Sequence, residues 1–224
     1  MNLSMLYLYA FVVGSFPSAY LIARFVKGID LRRCGSGTLG MSNLVTHIGR
    51  IWIVPICVFD MGVKGASSAL LGMVYFNFNG DNVLMISVPL IALIGHNWSC
   101  VLKFRGGRGI LVIAGALVIL DPLLIAVGLV IVATTWFISK KNSPVAVLLG
   151  LLILPVVALV LDRGIAVVAF VITGLLVSVI KRLMGNGDLG SRDRSYYIIW
   201  RNRLLLDRDI LDGSEWIHRN QKGL

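Results

Sequence analysis

Apolar residues fill the chain in long runs separated by short polar segments, without the two-residue or 3.6-residue alternation of a half-buried element. The runs are Met5–Phe25, Ile51–Phe76, Val83–Leu102, Ile110–Leu120, Leu123–Ile138, Pro144–Leu161 and Ile165–Ile180. At 1.5 Å rise per residue, each of the first three is long enough to cross a hydrocarbon layer of about 30 Å. The fourth and fifth are short and are split by Asp121-Pro122, which marks either a turn between two spans or a kink in one long helix.

Charge decides between these two. A turn at Asp121-Pro122 gives seven spans and puts Arg24, Lys27, Arg32, Arg33, Arg50, Lys103, Arg105, Arg108, Lys140 and Lys141 on the same side as Lys181, Arg182 and the tail. Only Arg163 is left on the other side. Basic residues mark the cytoplasmic side. The expectation is therefore an all-α integral membrane protein, a seven-transmembrane-helix bundle with its N-terminus outside and its C-terminus cytoplasmic. Residues 1–180 form the bundle, with cytoplasmic loops at 26–50 and 103–109, and 181–224 form a tail that is not an independent domain. The first run lacks a basic segment before it and is longer than the apolar part of a signal peptide, so it reads as a retained helix. In the tail, Tyr197 to Leu211 reads either as an amphipathic helix at the membrane interface or as a cap packed on the bundle.

Composition agrees. Of 224 residues, 57% are hydrophobic and 14% charged, and soluble domains carry nearly twice that charge fraction. The net charge of +10 lies in the connecting segments rather than in one patch, which argues against a nucleic-acid partner and for membrane lipids. Cys34, Cys57 and Cys100 are scattered, without disulfide or metal-ligand spacing, and no cofactor or metal is expected.

Two loops carry candidate chemistry. Gly35-Ser-Gly-Thr-Leu-Gly-Met-Ser-Asn43 follows Asp30-Leu-Arg-Arg33, so that glycines, hydroxyls and guanidiniums gather as a phosphate site requires. Taken alone it serves equally as a flexible connector, and no Gly-Lys-Ser/Thr follows to imply a nucleotide. The second loop places Lys103, Arg105 and Arg108 around Gly106, Gly107 and Gly109 at the start of a helix, a second oxyanion cradle on the same side. Membrane anchoring would need the charges but not the glycines. His96 and Asn97 end the third run within reach of this loop, His96 either as a packing residue or as a general base. Asp60 and Lys64, four apart in the second run, form an internal ion pair or a substrate contact.

Four stretches, in order, then carry a resemblance: Gly14-Ser-Phe-Pro-Ser-Ala-Tyr-Leu-Ile-Ala23, Gly35 to Asn43, Asp60-Met-Gly-Val-Lys-Gly65, and Gly95-His-Asn97 leading to Lys103-Phe-Arg-Gly-Gly-Arg-Gly109. Together they resemble the PlsY family, the bacterial membrane glycerol-3-phosphate acyltransferases that use acyl-phosphate as donor. The resemblance implies a seven-helix bundle of the inner membrane with its active face cytoplasmic. It also implies transfer of an acyl group from acyl-phosphate to the 1-hydroxyl of glycerol 3-phosphate, giving lysophosphatidic acid. Ser36 falls on the family's loop serine and is the catalytic candidate, with His96 beside it. Gly35, Gly37, Asn43, Asn97, Lys103, Arg105, Gly106, Gly107, Arg108 and Gly109 become substrate-binding candidates. The chain departs from the family pattern at Thr38, Met41-Ser42, Thr46 and Leu176 to Val179. These departures keep open an alternative, a homologue that binds or transports a phosphorylated lipid or small phosphate without turnover.

Overall fold

Pro17 divides the first apolar run into two helices, α1 (Leu3–Ser15) and α2 (Ser18–Lys27), because its ring cannot continue the hydrogen-bond ladder. The computed structural model describes residues 2–35, 37–77, 82–140, 142–185 and 195–212. Asn2 caps α1 by accepting from the Met5 N–H, and Gly28 ends α2 in the left-handed conformation that suits glycine. A short helix α3 (Met41–Ile48) follows the first glycine-rich loop.

The second run is one helical stretch of changing pitch. It starts in α4 (Ile53–Ile56), widens into a π-helical segment at Cys57–Ala66, and ends in α5 (Ser67–Tyr75). A π-helical stretch is uncommon and often marks a functional position; this one carries Asp60 and Lys64, both turned inward. After a short turn at Val83–Ile86 come α6 (Ser87–Asn97) and then α7 (Ile110–Leu120).

Asp121 separates α7 from α8 (Pro122–Ile138), so this part of the chain forms two helices rather than one. Its carboxylate accepts from the Leu124 N–H at 2.9 Å, with proline in the first turn of the helix. Arg163 binds the same carboxylate at 2.6 Å, tying this turn to the connection between α9 (Ser143–Val160) and α10 (Ile165–Met184). Helix α11 (Tyr196–Leu206) packs on α9 and α10 with Ile199 and Asn202 buried, while Tyr196, Tyr197 and Trp200 are exposed. Lys181 and Arg182, read from sequence as the start of the tail, are last-turn residues of α10 and are buried.

Among the described residues five stretches are long and apolar enough to cross a membrane: Leu3–Lys27, Arg50–Tyr75, Val83–Leu102, Ser143–Val160 and Ile165–Met184. Helices α7 and α8 are apolar but shorter. Exposed Val12, Leu70, Val74, Val130, Leu152 and Val156 give the bundle an apolar outside, the inverse of a water-soluble surface. Inside, α7 lies directly against the π-helical segment. A Cβ on Gly115 would stand 1.9 Å from the Met61 carbonyl oxygen, and one on Gly65 would stand 2.3 Å from that of Val112. Small residues let the two backbones touch, and that contact fixes the depth of Asp60 and Lys64.

Candidate active site

The second glycine loop folds back onto the end of α6. The Gly107 N–H donates to the His96 carbonyl at 3.2 Å, and a Cβ on Gly107 would stand 2.3 Å from His96 Nε2. A Cβ on Gly106 would likewise overlap the His96 and Asn97 carbonyl oxygens, at 2.1 and 2.5 Å. The first loop joins this one directly, since the Leu39 N–H donates to the Gly106 carbonyl at 3.3 Å. Both sequence-predicted loops therefore form one surface. Gly35 and Gly37 turn the first loop with positive φ, +52° and +65°, conformations open to glycine.

Beneath the loops lies a buried polar network. Lys64 Nζ is 2.7 Å from Asp60 Oδ1, and Ser18 Oγ donates to the same oxygen at 2.8 Å. Lys64 also reaches Nδ1 of His96 at 3.1 Å. An ammonium can only donate, so Nδ1 is the acceptor and the ring proton sits on Nε2, toward Gly107. This tautomer leaves His96 a hydrogen-bond donor to the loop side rather than a base at Nδ1. The two charges compensate each other in a region where an isolated charge would be costly.

A cleft of about 180 Å³ opens beside the network. Thr38, Met41 and Ser42 come from the first loop and α3, Asp60 and His96 from the network, and Arg108 and Gly109 from the second loop. Pro144, Arg182, Leu206 and Asp207 close the far side. Arg108 is 8% exposed; its Nη1 donates to the Lys181 carbonyl, and its own carbonyl accepts from Ser178 Oγ at 3.3 Å. Arg108 Nε lies 2.7 Å from Asp207 Oδ1, yet among the described residues neither atom is in an aligned hydrogen bond, so this is a close ion pair with the N–H pointed off axis. Lys181 Nζ sits 5.2 Å from the Trp98 ring centroid, a cation–π contact next to the cleft wall. The site is cationic on the side of α10 and α7, where the N-terminal amides of α7 add to the positive potential.

The sequence-predicted residues separate into groups. Ser36 lies outside the described residues. Gly106, Gly107, Arg108, Gly109, His96, Asp60 and Lys64 come together. Asn97 is fully buried below Gly109, and neither its amide nitrogen nor its oxygen has a partner among the described residues. Asn43 faces its own loop: its amide nitrogen donates to the Leu31, Cys34 and Thr38 carbonyls at 3.2, 3.1 and 2.9 Å. Lys103 and Arg105 are exposed on the turn before the glycines and line no part of the cleft. Sequence reasoning gave no site role to Ser18, Arg182 or Asp207, although Ser18 lies in the first of the four stretches that carry the resemblance and Arg182 in a basic pair. Among the described residues no three His, Cys, Asp or Glu side chains converge as a metal-ligand set.

Comparison with known proteins gives the family. A family profile described as glycerol-3-phosphate acyltransferase matches residues 4–186. The chain belongs to that family. The glycerol-3-phosphate acyltransferase 4 of Dehalococcoides mccartyi (strain CBDB1) is 36% identical over 217 residues, covering 94% of this chain and 90% of that protein. Among solved structures, the crystal structure of PlsY (YgiH), an integral membrane glycerol 3-phosphate acyltransferase, matches in its glycerol 3-phosphate form with a TM-score of 0.75 at 22% identity, over 94% of this chain and 96% of that one. Its lysophosphatidic acid form matches with a TM-score of 0.71 at 19% identity, over 95% of this chain and 97% of that one. These two likenesses carry the fold, and the profile and the Dehalococcoides relative carry the family. The resemblance read from the four motifs is borne out.

Proposed function

We propose that this protein transfers a fatty acyl group from acyl-phosphate to the 1-hydroxyl of glycerol 3-phosphate, releasing lysophosphatidic acid and inorganic phosphate for phospholipid synthesis. The observation that carries this reading is the meeting of both glycine loops with Arg108 and Arg182 at one cleft, in a chain of the glycerol-3-phosphate acyltransferase family. Both substrates are phosphates, and a cationic cleft lined by loop amides suits them. The names of the matched crystal structures, a glycerol 3-phosphate form and a lysophosphatidic acid form, are consistent with a substrate and a product of this kind.

In the reaction the 1-hydroxyl oxygen attacks the acyl carbon, the new ester C–O bond forms, and the anhydride C–O bond to phosphate breaks. Phosphate leaves with the electron pair and takes the hydroxyl proton on one of its basic oxygens. The donor is already activated, so the protein's part is to position the two substrates and balance their charge. Gly35, Ser36 and Gly37 hold the acyl-phosphate. Arg108 and the amides around Gly106, Gly107 and Gly109 hold glycerol 3-phosphate, with Asn97 beneath them. Lys103 and Arg105, on the exposed turn, draw anionic substrate toward the cleft, and Asn43 keeps the first loop in shape. His96 donates from Nε2, held in place by Lys64 and Asp60.

The positive-inside pattern supports a seven-span bundle with the N-terminus outside, so that the cleft opens to the cytoplasmic side of a bacterial inner membrane. The bundle then runs to the end of α10 at Met184, and the chain after it is a cytoplasmic extension. Ser36→Ala and Gly107→Leu test the reading in membranes supplied with acyl-phosphate and labelled glycerol 3-phosphate. Each is expected to abolish lysophosphatidate formation, and unchanged turnover in either would remove its loop from the mechanism. A homologue that only binds or carries phosphates would retain labelled glycerol 3-phosphate without forming product.

A further inference from the structure

Arg108 is already engaged. Its guanidinium faces the Asp207 carboxylate at 2.7 Å, and the two side chains are 9% and 22% exposed. Asp207 follows α11 in the left-handed conformation, φ +53°, and with Leu206 it forms one wall of the cleft. The segment is held there from α10: Arg182 Nη1 donates to the Leu204 carbonyl at 3.0 Å, and Arg203 Nη1 donates back to that of Leu183 at 3.1 Å. Held in this way, the segment directs an acidic side chain at the cleft's cationic wall.

Among side chains, a carboxylate is the closest match to a phosphate in what it offers a guanidinium: charge, and paired acceptor oxygens. The pairing here is close but poorly aligned, because Arg108 Nε points no hydrogen along the 2.7 Å line to Asp207 Oδ1. A phosphate dianion entering the cleft can take aligned hydrogen bonds and a second charge, and so replaces the carboxylate. A neutral polyol or a carboxylate monoanion gains no such advantage. We infer that Asp207 is a specificity-determining residue of the acyltransfer site, a built-in competitor that holds Arg108 until a dianionic phosphate displaces it and the end of α11 moves aside.

This inference rests on the acyltransferase reading for its kinetics, but not for its binding arm. In full-length protein, Asp207→Asn is expected to lower the KM for glycerol 3-phosphate on the order of five- to tenfold, the scale of losing one partly exposed charge competitor, with kcat changing less. Asp207→Glu, which keeps the charge, is expected to stay near wild type. An unchanged or raised KM in Asp207→Asn overturns the inference. Equilibrium dialysis of labelled inorganic phosphate against the purified proteins is independent of turnover. Tighter binding by Asp207→Asn than by wild type supports the competitor even if no product forms, a result that would sink the acyltransferase reading alone. Should the variants fail to fold, saturating inorganic phosphate is expected to raise hydrogen–deuterium exchange across residues 196–207 of the wild-type chain. Unaltered or slower exchange there overturns the displacement.

Discussion

Lys64 Nζ and Asp60 Oδ1 are 2.7 Å apart, and each side chain is 2% exposed. Neither charge has water to fall back on, so each depends on the other and on the Ser18 and His96 contacts around them. Removing one member leaves an uncompensated buried charge, which costs about 3–5 kcal/mol. Lys64→Met should therefore unfold in detergent at markedly lower temperature or denaturant than wild type. The double variant Asp60→Asn, Lys64→Met should recover much of that loss. Additive damage in the double variant would show that the two are not coupled.

Gly107 tests how closely the second loop must approach α6. With a Cβ only 2.3 Å from His96 Nε2, Gly107→Ala must push the ring or the loop aside. A displacement of about 1 Å at a positioning group lowers turnover on the order of a hundredfold. The expected result is a fall in kcat/KM for glycerol 3-phosphate well beyond what the accompanying loss of thermal stability accounts for. A variant with wild-type kinetics would show that the loop–histidine contact is incidental.

The contact of α7 with the π-helical segment makes a separate prediction about stability. A Cβ on Gly115 would overlap the Met61 carbonyl at 1.9 Å, whereas nothing lies within 4 Å of one on Gly62 in the same segment. Gly115→Ala should destabilise by about 1–3 kcal/mol as the backbones are forced apart. Gly62→Ala should be neutral or slightly stabilising, since alanine is the better helix former. Equal melting curves for the two variants would contradict the close packing.

At the first loop, Asp30 accepts from Arg32 Nη2 at 2.7 Å and from Nε, and this side-chain hydrogen bonding holds its carboxyl below the ordinary value of 3.8. A carboxyl lowered on folding stabilises the fold above the unfolded-state pKa, and that stability is lost as pH falls through the folded value. Asp30→Asn should therefore melt below wild type at neutral pH, and the gap should close once the solution is more acidic than the folded pKa. A gap that persists there would assign the effect to shape rather than charge.

The spans were legible because runs of about twenty apolar residues have few other uses, and the turn at Asp121-Pro122 was legible because proline and an acidic cap suit a helix start. The Pro17 break and the π-helical widening of Cys57–Ala66 were not foreseen. The widening depends on how α7 packs against it, a contact local sequence does not encode. Within the site, the Asp60–Lys64 pair followed from four-residue spacing, but Ser18 and His96 join it across long stretches of chain. Composition grouped Lys103, Arg105 and Arg108 together, yet Arg108 alone of the three turns inward. Side-chain direction there follows from the left-handed turn at Gly109 and the entry into α7, not from charge.

Donor choice tests the central claim most directly. Membranes containing the wild-type protein and labelled glycerol 3-phosphate are supplied in turn with acyl-phosphate, acyl-CoA and acyl carrier protein. The cleft with its paired phosphate-type loops predicts labelled lysophosphatidate with acyl-phosphate and none above empty membranes with the other two. No product with acyl-phosphate, or product from acyl-CoA alone, would contradict it.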